Sequence, residues 1–113
     1  MSARQTLIDA RELIEHEDNW IKGLSAARAD GGHATVYDEE ACKFCMSGAI
    51  ERAYYFGGLV FQDRAGAYDA LSWAIPPYDH GLLVHFNDAP ETTHQDVLAA
   101  FDRAINSLPE DTE

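Results

Sequence analysis

Two groups of residues have the types and spacing to do chemistry. Cys42 and Cys45 form a Cys-x-x-Cys pair, a spacing shared by structural zinc sites and thiol–disulfide oxidoreductases. Zinc requires four ligands, and the usual complement is a second cysteine pair or a close histidine pair. The five histidines (His16, His33, His80, His85 and His94) are scattered, and only His80 and His85 are near one another. A redox pair wants its first cysteine at a helix N-terminus after a strand, whereas the hydropathy pattern puts Cys42 about a turn inside a helix. Both thiols therefore read as small core residues, with metal and redox roles as alternatives. No metal and no cofactor is expected.

The second group is His85, Asn87, Asp88 and His94, clustered around the turn sequence Asn-Asp-Ala-Pro. Histidine, amide and carboxylate together can do general acid/base work or hold a cation. The competing reading is an Asx turn in which Asn87 and Asp88 bond nearby backbone and present the last helix. No nucleophile elbow, phosphate loop, His-Glu-x-x-His or EF-hand pattern is present.

Charge is the strongest compositional feature. Against 20 acidic residues stand 8 basic ones, a formal net charge of −12. The charge argues against direct binding of a phosphate backbone, because no Lys/Arg cluster exists to release its counterions. Solubility alone accounts for such a surface, and so does attraction of a basic protein partner. The acids concentrate at Glu12, Glu15, Glu17 and Asp18, and again at Asp38, Glu39 and Glu40. Tyr37, Tyr54, Tyr55, Phe56 and Tyr68 make the middle of the chain aromatic; such residues are mostly core, though tyrosines beside acids also suit an interface.

The elements that would position these residues are mostly helical. Ser2 and Gln5 have capping-box spacing, and Ala3, Leu7, Ala10 and Ile14 recur at helical intervals, predicting a first helix over 3–17. Trp20 and Ile21 should fold back onto the core beyond it. Residues 22–33 read as a loop, 34–37 as briefly extended, and Asp38 as the cap of a second, central helix ending at Gly57-Gly58. Gly48 in that helix costs about 1 kcal/mol against alanine, so it marks a close approach, with Ala104 of the last helix as the expected partner. A third helix spans 65–75, closed by Pro76-Pro77. The apolar run 82–86 reads as strand or buried coil. Thr92/Gln95 and Thr93/Asp96 both offer caps for a last helix with stripe Val97, Phe101, Ala104, Ile105 and Leu108. The expected architecture is one domain over 1–113, frayed from about 109: a mainly α bundle of about four helices with irregular connections and room for one short β-ribbon. No apolar run approaches the ~18 residues of a membrane span. The charged N-terminal stretch is no secretory signal, and two cysteines without a leader fit a cytoplasmic setting.

Cys45-Met46-Ser47-Gly48-Ala49-Ile50, then Phe86-Asn87-Asp88, then Thr93 with Asp96-Val97-Leu98 and Phe101-Asp102-Arg103-Ala104-Ile105, resemble a family of small uncharacterised bacterial and phage domains. Its members share a Cys-x-x-Gly-Ala helix, an aromatic-Asn-Asp turn and a closing Arg-Ala-Ile helix. Phe86 stands where members commonly have tryptophan, and Cys42 lies outside the pattern. The resemblance implies a fold and a cytoplasmic setting, and supplies no activity.

Two functions follow from different classes. One is a non-catalytic acidic protein docking a basic partner, for instance a phage or mobile-element inhibitor of a nucleic-acid-binding host protein. The other is a small enzyme or ligand-binding domain using His85, Asn87, Asp88 and His94. Neither oligomeric state nor partner identity is legible.

Overall fold

The computed structural model describes residues 2–78 and 81–110; His80 and the last tail residues lie outside these. Ser2 accepts the Gln5 amide at 3.0 Å and starts α1 (Ala3–Leu13). Gln5 does not reach back as a capping box would; its amide donates forward to Asp9 at 2.9 Å. The helix ends at Leu13, four residues short of the expected 17, and a single 3-10 turn (Glu17–Asn19) follows. Buried Leu7 and Ala10 sit on the face that α1 presents to its neighbours, and α1 packs against three other helices.

The segment after Trp20 is a small sheet. Strands β1 (Ala26–Ala27), β2 (His33–Ala34) and β3 (Lys43–Phe44) pair antiparallel in the order β2-β1-β3, with Ala26 opposite both Ala34 and Phe44. This sheet corrects the start of the central helix. Asp38 caps nothing helical: with Glu39 and Glu40 it forms a turn between strands. The helix α2 (Met46–Phe56) begins only at Cys45, whose Sγ accepts the Gly48 amide at 3.3 Å. Residues 41–44 have apolar positions compatible with a helix, but the Cys42 amide bonds Ala27 O at 2.9 Å and β3 pairs with β1. Long-range pairing satisfies the same backbone groups that a helix would.

Helix α3 (Phe61–Ser72) begins four residues earlier than its apolar spacing suggests. The run 82–86 is neither strand nor coil but the start of a short helix, α4 (Leu83–Asp88). The closing helix α5 (His94–Asn106) has Thr93 as its cap. Thr93 Oγ1 accepts the Asp96 amide at 3.1 Å and Asp96 accepts the Thr93 amide at 3.0 Å, a reciprocal capping box. Val97, Phe101 and Ala104 are fully buried as the stripe requires. The fold is thus mainly helical, with α1, α2, α3 and α5 enclosing one core to which the sheet adds Ala26, Ala34 and Phe44.

Gly48 is a close-approach position, but its partner is not α5. A Cβ there would overlap the Ser25 carbonyl oxygen and lie 2.8 Å from its carbon. The chain entering β1 crosses directly over α2 at this point.

Tyr68 of α3 is fixed by two bonds, donating to Glu51 Oε2 at 2.6 Å and lying 3.3 Å from Ser47 O. Burial first, and the Glu51 carboxylate second, raise its hydroxyl well above the ordinary tyrosine range. Arg64 pairs with the same carboxylate at 2.8 Å. Because the folded value is raised, the stabilisation is full below the ordinary tyrosine pKa of ~10 and declines as pH rises beyond it. In an alkaline absorbance titration Tyr68 should remain un-ionised until the protein unfolds, while Glu51→Gln should lower its ionisation pH. Ionisation of Tyr68 near pH 10 in the folded protein would contradict this.

Candidate functional site

The paired thiols point apart. Cys42 is exposed and Cys45 is buried, as expected when an extended dipeptide separates them and sends residues three apart to opposite faces. An extended Lys43-Phe44 also holds their Cα atoms about 10 Å apart, beyond the ~7 Å limit for a disulfide. Among the described residues no three His, Cys, Asp or Glu side chains converge. Cys42 is accordingly not the core residue that helical spacing suggested, whereas Cys45 is one. Protein purified without chelator should hold no stoichiometric zinc by elemental analysis. One metal per chain, lost in Cys42→Ser, would overturn that expectation.

Of the four residues around the Asn-Asp turn, Asn87 and Asp88 bond each other, and among the described residues neither histidine bonds them. Asn87 faces inward and is 1% exposed. Its Oδ1 accepts from Trp20 Nε1 at 2.7 Å and from the Met46 amide at 3.0 Å. Its Nδ2 donates to Ile21 O at 3.0 Å and to Asp88 Oδ1 at 2.9 Å. All four hydrogen-bonding positions of this side chain are therefore used within the fold. Asp88 Oδ1 also accepts the Gly23 amide at 3.0 Å. His94 places Nε2 2.7 Å from Ile14 O, with its ring centroid 5.9 Å from that of Trp20. The Asx turn presenting the last helix is replaced by an interior hub joining the 20–23 segment, α2 and α4. His85 alone turns elsewhere, into an open groove of about 720 Å³ between α4 and α5.

The acidic residues stay on the surface. Glu12, Glu15, Glu17, Asp18, Glu39 and Glu40 are exposed. Only Glu12 occupies the last turn of α1; Glu15 pairs with Arg11 at 3.0 Å, and Glu17 and Asp18 open the following 3-10 turn. Of the four, Glu12 alone lies at the end of the helix whose dipole it opposes. Asp38 accepts the Glu40 amide at 2.8 Å and pairs with Arg28 at 3.2 Å. The amide bond foremost, then Arg28, hold its carboxyl below the usual range. Lys43 donates to Asp18 O at 3.0 Å, linking the two acidic segments across β3.

Many of the acids also lack a direct ion pair, because half of the eight basic residues bond backbone instead. Lys22, Lys43, Arg52 and Arg103 each direct a charged donor at a backbone carbonyl. Among the described residues no ion pair reaches Glu12, Glu17, Glu39 or Glu40.

Arg52 is the residue that builds a surface. Its Nη1 donates to Val36 O at 2.8 Å and to Asp38 O at 2.7 Å, and its guanidinium lies 4.4 Å from the Phe56 ring centre. The clamp fastens the 36–38 turn to the last turns of α2. Tyr37 then packs on Tyr55 at 4.6 Å, and Tyr55 meets Phe56 edge-on at 5.0 Å. Each of these three rings is at least 43% exposed, and Leu59 and Phe61, next along the chain, are exposed as well. Leu59 holds a positive φ of 59°, a conformation disfavoured for leucine. The outcome is an exposed aromatic face bordered by Asp38, Glu39 and Glu40. Sequence reasoning paired the tyrosines with the acids but missed Arg52, for which no local signal exists.

No curated protein and no solved structure matches the chain. The profile of DUF6197, a family of unknown function, matches residues 1–107, and the chain belongs to that family.

Proposed function

Starting from membership of a family without an assigned activity, we propose that this protein is a non-catalytic interaction domain that docks a basic protein in the cytoplasm. The observation that carries the reading is the Arg52 clamp, which sets an exposed Tyr37/Tyr55/Phe56 face beside Asp38, Glu39 and Glu40. Protein interfaces are built this way, with aromatic anchors at the centre and charge at the rim. Exposed aromatics in contact with one another lower solubility, so a surface shaped for solubility alone would not keep them. The net charge of −12 selects a partner rich in Lys and Arg. An inhibitor covering the nucleic-acid groove of a basic protein is one form such a domain takes. The enzyme reading loses support because Asn87, Asp88 and His94 are committed to internal bonds.

The test is made with the basic protein that wild type retains stoichiometrically from host lysate, purified and measured by stopped flow. Neutralising Glu12, Glu15, Glu17 and Asp18 together should lower the association rate severalfold at low salt and converge with wild type as screening shortens the field. Phe56→Ser should instead raise the dissociation rate at every salt concentration. Unchanged rates in both variants would overturn the reading, as would retention of no basic protein.

A further inference from the structure

We propose that the groove between α4 and α5 binds a short zwitterionic peptide, with its ammonium at Glu91 and Asp96 and its carboxylate at Arg103. This site is separate from the aromatic face and does not depend on it. Its volume, about 720 Å³, lies within the range of small-ligand sites.

One wall is a single face of α5. Asp96, Ala99 and Arg103 all line the groove, and their spacing of three and four residues places them on one side of the helix. At 1.5 Å per residue the backbone attachment points of the carboxylate and the guanidinium are about 10 Å apart along the axis. Ala99 lies between them as a floor too short to fill the space. The opposite wall, from Leu82, His85 and Phe86, is largely apolar. A negative end, an apolar middle and a positive end follow one another along the groove.

Both ends are prepared. At the negative end, Asp96 caps its own helix through Oδ2, Oδ1 has no hydrogen-bond donor among the described residues, and Glu91 also lines the groove. At the positive end Arg103 is held in place. Its Nε and Nη2 donate to Ala74 O at 3.0 and 2.7 Å, and its guanidinium lies 5.6 Å from the Tyr78 ring centre. Those two bonds use two of the five guanidinium N–H groups. Tyr78, which supplies that ring, holds a φ of 67°, a strained conformation of the kind that collects at ligand sites.

The spacing selects the ligand. A single amino acid carries its charges too close together to reach both ends, whereas an extended tripeptide spans roughly 10 Å. Its central side chain would meet Leu82, Phe86 and Ala99. The pattern is of opposite charges at a set separation, so blocking either terminus should weaken binding.

The experiment is a ¹⁵N-detected NMR titration of the full chain with the tripeptide Ala-Leu-Ala. Saturable shifts at His85, Ala99 and Arg103 are expected, and N-acetylation or C-amidation should each weaken binding about tenfold, the loss of one charge-assisted contact. Ala99→Phe, which fills the floor, should abolish the shifts. Asp96→Asn, which keeps the capping oxygen, should weaken the free peptide and leave the acetylated one unaffected, so the result does not rest on one variant's folding. Shifts absent from the groove, equal binding of blocked and free peptides, or equal binding of free leucine would each overturn the proposal.

Discussion

Asn87→Ala should be among the most destabilising single substitutions in this chain, by about 3–5 kcal/mol in chemical denaturation. The side chain completes four hydrogen bonds, and its removal strands the Trp20 indole N–H, the Met46 amide and the Ile21 carbonyl. Each buried group left without a partner costs about 1–3 kcal/mol. Partial access of water to Trp20 and Ile21, which are only half-buried, keeps the sum below its ceiling. A total stability of about 5–15 kcal/mol is usual for a domain, so the loss is a large share of the whole. Asp88→Ala provides the contrast. Asp88 is exposed and, among the described residues, accepts only the Gly23 amide and Asn87 Nδ2, so about 0.5–1.5 kcal/mol is expected. Equal small losses in the two variants would mean that Asn87 acts only within its own turn and not as the hub.

Gly48→Ala should lower stability by about 2–4 kcal/mol, although alanine is the better helix former by about 1 kcal/mol. The added methyl would overlap the Ser25 carbonyl oxygen. A side chain in that place could rotate away, but Ser25 O is backbone and also accepts the Cys45 amide at 3.3 Å. Relief therefore requires moving the whole chain segment that leads into β1, which pairs with both other strands. The readout is the denaturation midpoint at an unchanged slope. A midpoint equal to or above wild type would show that the 22–27 segment yields freely, and that the sheet is not anchored to α2 at this point.

Features written within a few residues of one another were legible in the sequence. The spacings Thr92/Gln95 and Thr93/Asp96 announce the start of α5 to within one residue, Val97, Phe101 and Ala104 announce its buried face, and Ser2 announces the start of α1. These signals act over one helical turn, between groups that are neighbours in any helical conformation. The excess of acid over base is equally independent of the fold. Other features needed partners far along the chain. The start of α2 was misplaced because residues 41–44 fit a helix locally and were claimed by β1, a strand no local pattern declares. Asn87 looked like a turn residue because its side chain suits a turn, and became a hub because folding brings Trp20 and Met46, 67 and 41 residues away, within hydrogen-bonding distance. The same applies to Arg52, whose bonds to Val36 and Asp38 join the acidic turn to the aromatic face. Apolar periodicity fixes which side of an element is buried, but not which distant backbone group a buried polar side chain will meet. Only the packed chain decides that, because each such group must be satisfied once water is removed.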